Sequence, residues 1–253
     1  MILIKTKKEI DYIRESCKIV AETLQLIKSK IKIGVTTKEL DQIAEDYIRS
    51  NNAFPAFKGY SQGNGVKFPA SLCTSVNNEV VHGIPGNYEL KDGDLISIDV
   101  GVLKNNYYGD AAITVGVGNI SELKQKLIEV TERSLYIGIE KAIGSNRLHD
   151  ISSAIQKYVE SNGFSVVRDL CGHGVGKYLH EDPSIPNYGR KGTGPTLKRG
   201  MTLAIEPMVN AGDWKVTVAS DGWTVRTADG SDSAHFEHTI LITDKEPEIL
   251  TIS

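Results

Sequence analysis

The amino-acid sequence predicts an α+β fold in which two αα-β halves share one antiparallel sheet, with the helices on one of its faces. Two observations carry this. Apolar residues recur first at helical and then at strand spacing, and the order helix, helix, strands occurs twice along the chain. No Pro/Ser-rich or charged linker separates the two runs, so 1–115 and 121–243 are read as structural halves of a single domain, 1–253.

Thr6-Lys-Lys-Glu9 is a capping box, and behind it Ile10, Ile13, Cys17, Val20, Leu24 and Ile27 form an amphipathic stripe. After Gly34, Thr36-Thr-Lys-Glu39 starts a second helix with Leu40, Ile43, Ala44 and Tyr47 inward, ended by Asn51-Asn52. A Gly-rich loop (59–65) precedes short strands at 70–76 and 80–81, and Pro85-Gly86 and Asp92-Gly93 mark turns. Two β-rich runs, 94–102 and 107–115, read as a hairpin. Ser121 opens a long helix to about residue 143, Asp150 caps another that ends at Gly163, and strands are expected at 165–170, 201–206 and 234–243.

The 253 residues are 40% hydrophobic and 24% charged, which excludes disordered and collagenous classes. A net charge of −3 argues against a DNA-binding protein, and no apolar run is long enough to span a membrane. Three cysteines without a CxxC spacing suggest neither a disulfide framework nor a zinc ribbon. A cytoplasmic, monomeric globular protein is expected.

The chemistry begins in the hairpin. A Lys104-Asn105 loop would set Asp99 directly opposite Asp110, with Cβ atoms about 5 Å apart. An Asn105-Asn106 loop would set Asp99 opposite Ala112 with Asp110 still on its face, and a three-residue loop would separate the two acids. Facing carboxylates near a core repel, so they raise a pKa or demand a cation. Glu206, ending Leu203-Ala-Ile-Glu-Pro207, and Glu237, inside an apolar strand, are two more acids of this kind. Two from each half point to a shared cation site.

Of the six histidines, His149 reads as solvated beside a helix start, and His238 faces away from Glu237 by strand alternation. His173 lies in Cys171-Gly-His-Gly-Val-Gly176, where the absence of side chains admits a close neighbour, ligand or metal. That glycine spacing fits no phosphate loop, and HExxH is absent. A Cys73–His82 nucleophile is a further alternative, set against ordinary burial of a strand thiol. Two Asp, two Glu and one His form a hard donor set suited to Mn, Fe or Co, with Zn tolerated. Their charge of about −4 matches two divalent ions about 3.5–4 Å apart, sharing carboxylates and a hydroxide.

With these residues in place, the chain resembles the type I methionine aminopeptidases of the M24 metallopeptidases. The resemblance rests on Val80-Val-His-Gly-Ile-Pro85, Gly93-Asp-Leu-Ile-Ser-Ile-Asp-Val100, Tyr107-Tyr-Gly-Asp110, Gly172-His-Gly-Val-Gly-Lys-Tyr-Leu-His-Glu181, Ile205-Glu-Pro207 and Phe236-Glu-His-Thr239. It covers nearly the whole chain. It implies a pita-bread fold with an internal pseudo-two-fold and two divalent ions (Co, Mn, Fe or Zn) on Asp99, Asp110, His173, Glu206 and Glu237. The implied activity is removal of the initiator methionine from nascent chains when the second residue is small, by a metal-bridged hydroxide. His180 would donate to the scissile carbonyl oxygen, His82 would contact the substrate backbone, and Glu206 would relay a proton. Tyr60, Phe68, Cys73 and Trp223 would line the methionine pocket.

The chain departs from the family pattern in a longer loop at 61–67 and in His235, where many relatives have Gln. It shows no N-terminal zinc-binding extension, and the 33 residues from His173 to Glu206 leave no room for a type II insertion. Xaa-Pro peptidases and creatine hydrolases share the ligand set but usually carry an extra N-terminal domain. A non-catalytic relative would be expected to have lost ligands. A cotranslational role implies docking near the ribosomal exit. Residues 1–32, with eight Lys/Arg against four acids, are the candidate surface, including Lys5, Lys7 and Lys8.

Overall fold

The computed structural model describes residues 1–61 and 65–252. Helix α1 (Lys7–Lys30) starts where the Thr6 hydroxyl accepts from the Glu9 amide and the Glu9 carboxylate accepts from the Thr6 amide. Helix α2 (Thr37–Ser50) repeats the device with Thr36 and Glu39. Strands β1 (Phe54–Pro55), β2 (Cys73–Val76), β3 (Glu79–Val81), β4 (Leu95–Lys104) and β5 (Tyr107–Gly116) complete the first half. Helices α3 (Glu122–Ile139) and α4 (Leu148–Ser161) open the second. They are followed by β6 (Ser165–Val166), β7 (Cys171–Gly174), β8 (Glu181–Pro186), β9 (Thr202–Ile205) and β10 (Met208–Asn210). The chain continues through β11 (Val216–Val218), β12 (Val225–Thr227), β13 (Ser233–His235), β14 (Glu237–Leu241) and β15 (Glu248–Ile249).

A nine-stranded antiparallel sheet runs β1-β4-β5-β14-β9-β7-β8, with β2 also on β4 and β15 on β14. Two three-stranded sheets, β13-β10-β6 and β11-β12-β3, stand beside it. One face of the large sheet is apolar. Ile96, Ile98, Val100, Val102 and Ala111 pack under α1 and α2, while Leu203, Ile205, Ile240 and Ile242 pack under α3 and α4. Strand alternation therefore turns Asp99, Asp110, Glu237 and His173 to the opposite face.

The hairpin loop is Asn105-Asn106, both residues at positive φ (52° and 63°), as a tight two-residue turn requires. Asp99 pairs with Ala112 and Asp110 with Gly101, so the two acids are diagonal neighbours on one face. The halves meet where β14 pairs with β5, at Glu237↔Ala112 and His238↔Ala111. On both sides of these pairs a threonine hydroxyl bridges the main chains. Thr239 Oγ1 donates to Asp110 O and accepts from Asp110 N (2.7 and 3.2 Å), and Thr114 Oγ1 does the same for His235 (2.8 and 2.9 Å).

Several expectations change. Arg147, not Asp150, is the N-cap of α4; Asp150 sits inside the first turn, its carboxylate accepting from the Arg147 amide. Helix α3 stops at Ile139. The strand expected at 165–170 is the short β6, and the run at 234–243 breaks at Phe236, so that β13 and β14 join different sheets. Residues 171–174, to which no element was assigned from the sequence, form the strand β7. Lys5, read as part of an exposed basic face, is buried, with its ammonium on Glu181. Of the longer loop, residues 62–64 lie outside the described residues; Ser61 and Lys67 bridge at its base. Among the described residues no helix is long and apolar enough to cross a membrane.

Candidate active site

The carboxylates open into a cavity of about 450 Å³ on the sheet face turned away from the helices. Every site candidate named from the sequence lines it: Asp99, Asp110, His173, Glu206 and Glu237 at its floor, and Tyr60, Phe68, Cys73, His82, His180 and Trp223 around them.

Asp110, His173 and Glu237 each present a donor atom within 4.8 Å of the others. His173 Nε2 is 3.5 Å from Glu206 Oε1 and 4.0 Å from Asp110 Oδ2. Buried oxygens of Asp99, Asp110 and Glu237 lack a hydrogen-bond partner among the described residues. Burial pushes the Asp99 carboxyl up to about 7. Burial first, then repulsion by the neighbouring acids, holds Asp110, Glu206 and Glu237 well above the usual carboxylate range. Four such groups cannot all ionise together unless cations sit among them. The donor set fits hard divalent ions.

His173 is shaped for the same task. Burial, reinforced by His180, lowers its pKa to about 3, so the imidazole is neutral. Its Nδ1–H donates to Gly174 O at 2.9 Å, which leaves the Nε2 lone pair free on the side of the carboxylates, where a cation could take it. The flanking glycines are explained by packing. A Cβ on Gly172 would meet Ala204 O at 2.4 Å, and one on Gly174 would meet Asp182 O at 2.3 Å.

His82 takes a positive φ of 59°, a strained conformation for a non-glycine residue, at the end of β3. Gly83 is wedged against β2, where a Cβ would lie 2.3 Å from Thr74 O, and Thr74 N donates to Gly83 O. The turn stands the His82 ring edge-on to Trp223 at 6.2 Å, and burial lowers its pKa to about 4. The Tyr60 hydroxyl and His180 Nδ1 are 2.6 Å apart; with the phenol donating, the His180 proton resides on Nε2. The His180 ring contacts His173 edge-to-face at 4.4 Å.

The remaining wall is apolar. Phe68 meets Trp223 edge-to-face at 5.3 Å and Phe57 at 6.4 Å, with Cys73 and Leu179 in the same cluster. Asp221 fixes Trp223 by accepting from its amide and from Thr224. The Cys73 thiol is pushed well above its usual pKa by burial and by Asp99, which fits packing rather than nucleophilic attack. Phe57, Leu179, Met208 and Asp169 also line the cavity and escaped the sequence reading. Leu179 could have been found as the neighbour of His180; nothing distinguished Phe57 from a core residue. His235 lies beneath the floor, buried, with Nε2 3.7 Å from Glu206 Oε2.

Comparison with known proteins identifies the family. The model of metallopeptidase family M24 matches residues 11–244. The chain is 58% identical to the methionine aminopeptidase of Clostridium perfringens, across 100% of this chain and 99% of that protein. It is 57% identical to methionine aminopeptidase 1 of Bacillus subtilis, across 99% of each. The crystal structure of the Thermotoga maritima methionine aminopeptidase superposes with a TM-score of 0.97 at 48% identity, each chain fully covered.

Proposed function

From the premise that this chain belongs to metallopeptidase family M24, we propose that residues 1–253 act as one catalytic unit that removes N-terminal methionine from peptides with a small second residue. The activity is that of a metal-dependent methionyl aminopeptidase, a hydrolase. Two divalent ions, drawn from Co, Mn, Fe or Zn, would be held by Asp99, Asp110, His173, Glu206 and Glu237. The single observation behind this set is the buried, partnerless carboxylate cluster shared by both halves. Bound there, such ions supply Lewis acidity and a nucleophile at neutral pH.

The protein's own groups do the rest. The Phe57, Phe68 and Trp223 rings with Cys73 present an aromatic, polarisable surface, which suits a flexible thioether. His180, with its proton on Nε2, donates to the carbonyl oxygen and to the oxyanion that develops there. His82 hydrogen-bonds the substrate backbone. Glu206, at the edge of the carboxylate cluster, relays a proton to the leaving amine as the C–N bond breaks. We infer that its substrates are nascent-chain N-termini and that it acts in the cytoplasm, as a monomer, near the ribosomal exit. The exposed Lys7 and Lys8 in the first turn of α1 support that surface.

Hydrolysis of Met-Ala-Ser against an Ala-Pro peptide, with and without chelator, tests the reading. Chelator-sensitive cleavage of the first peptide alone is expected. Cleavage of the Ala-Pro bond would favour a proline-specific peptidase, and undiminished turnover in chelator would overturn the metal assignment.

A further inference from the structure

Among the described residues one ion pair outside the ligand cluster is sealed from solvent. Lys5 Nζ lies 2.6 Å from Glu181 Oε2, with the two side chains only 4% and 3% exposed. Such a pair is weak evidence for stability, because its desolvation cost offsets most of the attraction. Its position is informative. Glu181 follows His180 directly, and its other oxygen accepts from the Tyr178 amide at 3.1 Å. One carboxylate therefore spans the turn that carries Leu179 and His180.

The turn is held from below as well. Gly176 O accepts from the Tyr108 amide and Gly176 N donates to Tyr178 O. A Cβ on Gly176 would meet Lys5 Cε at 2.6 Å and Glu181 Oε1 at 3.0 Å, so the lysine fills the space under the turn. Lys5 comes from the strap that precedes α1, where its amide donates to Gly200 O at 2.8 Å. Tyr60 fixes the His180 ring through Nδ1, but nothing in that bond sets the height of the His180 backbone over the carboxylates.

We propose that Lys5 is a positioning residue for His180: its buried ammonium anchors Glu181, which clamps the 178–181 turn and presents the imidazole to the scissile carbonyl oxygen. This rests on the reading of His180 as donor to that oxygen. Lys5 touches no substrate and acts only through Glu181.

The test is a kinetic double-mutant cycle on the full-length, metal-loaded enzyme. The variant Lys5→Met with Glu181→Gln removes both charges and leaves neither buried alone. It is expected to keep the wild-type urea midpoint and metal content, with kcat lowered about 10- to 100-fold and KM little changed, as for a misplaced catalytic group. In a His180→Ala background the same pair of changes should alter kcat by less than about twofold, since the two act through one group. The 1H–15N imidazole resonances of His180, recorded on the metal-free protein, should shift in the pair variant. Equal fractional losses with and without His180, or an unmoved imidazole signal, would overturn the proposal. An unchanged kcat in His180→Ala alone would remove the donor reading, while the imidazole shift still decides whether Lys5 sets the ring. Should the pair variant not fold, Lys5→Arg, which keeps the charge but moves it relative to Glu181, is judged on the same imidazole signal and kcat.

Discussion

Replacing Thr239 with valine should cost far more than the loss of one hydroxyl suggests. Thr239 is fully buried, and its Oγ1 both donates to Asp110 O and accepts from Asp110 N, where the β5–β14 ladder would otherwise have continued. Valine has nearly the same shape, so packing survives while the Asp110 amide and carbonyl both lose their partner. A buried backbone group left unpaired costs about 1–3 kcal/mol, so the two together cost about 4 kcal/mol. Against a typical stability of about 5–15 kcal/mol, the variant still folds. Asp110 is the residue whose main chain is released, and a carboxylate displaced by about 1 Å can lower turnover by about a hundredfold. Urea unfolding of wild type, Thr239→Val and Thr239→Ser, with kcat for each, measures both effects. Serine keeps the hydroxyl and should restore most of the activity. A valine variant within about 0.5 kcal/mol of wild type, with unchanged kcat, would refute the clamp.

Asp110→Ala or Glu237→Ala should remove nearly all turnover and lower bound divalent metal, as read by metal analysis of the purified protein, while circular dichroism stays native-like. In chelator, the acids held at raised pKa retain protons that the unfolded chain has already released. Below about pH 6.5 the buried histidines, held neutral, act in the opposite sense, so the acids alone set the slope above it: the metal-free protein should lose stability as pH rises through about 7; urea midpoints at about pH 6.5 and about pH 8.5 check the sign, and a higher midpoint at the alkaline value would contradict it. Reversing Lys7 and Lys8 to Glu should weaken ribosome co-sedimentation at low salt and leave peptide turnover intact. Lys5 is excluded from that test because it is buried.

The acids were legible because strands announce themselves by alternation, and a carboxylate inside an apolar run breaks the pattern visibly. Their exact pairing was not, since Lys104-Asn105 and Asn105-Asn106 loops both place Asp99 and Asp110 on one face; two asparagines tolerating positive φ decide it. Strands β10 to β13 are three residues each, too short for any period to show. Lys5 was misread because a lysine near a chain start normally faces water, and its partner lies 176 residues away. The roles of His82 and His180 came from resemblance alone: the strained turn at His82 and the Tyr60–His180 bond join residues distant in sequence, which composition and spacing do not record.

Each half has an apolar core of its own, one under α1 and α2 and one chiefly under α3 and α4. Asp99 and Asp110 become neighbours as soon as a local hairpin closes, but Glu237 reaches them only when β14 docks along β5. Collapse of the halves is thus a local event, and docking is the slow, long-range one. Docking also brings the acids into mutual repulsion, so the final folding step runs uphill electrostatically until a cation arrives. A divalent ion that binds only the docked arrangement pulls that step forward by mass action. On refolding, helical signal should return early and independently of metal, whereas recovery of the catalytic form should quicken as metal concentration rises.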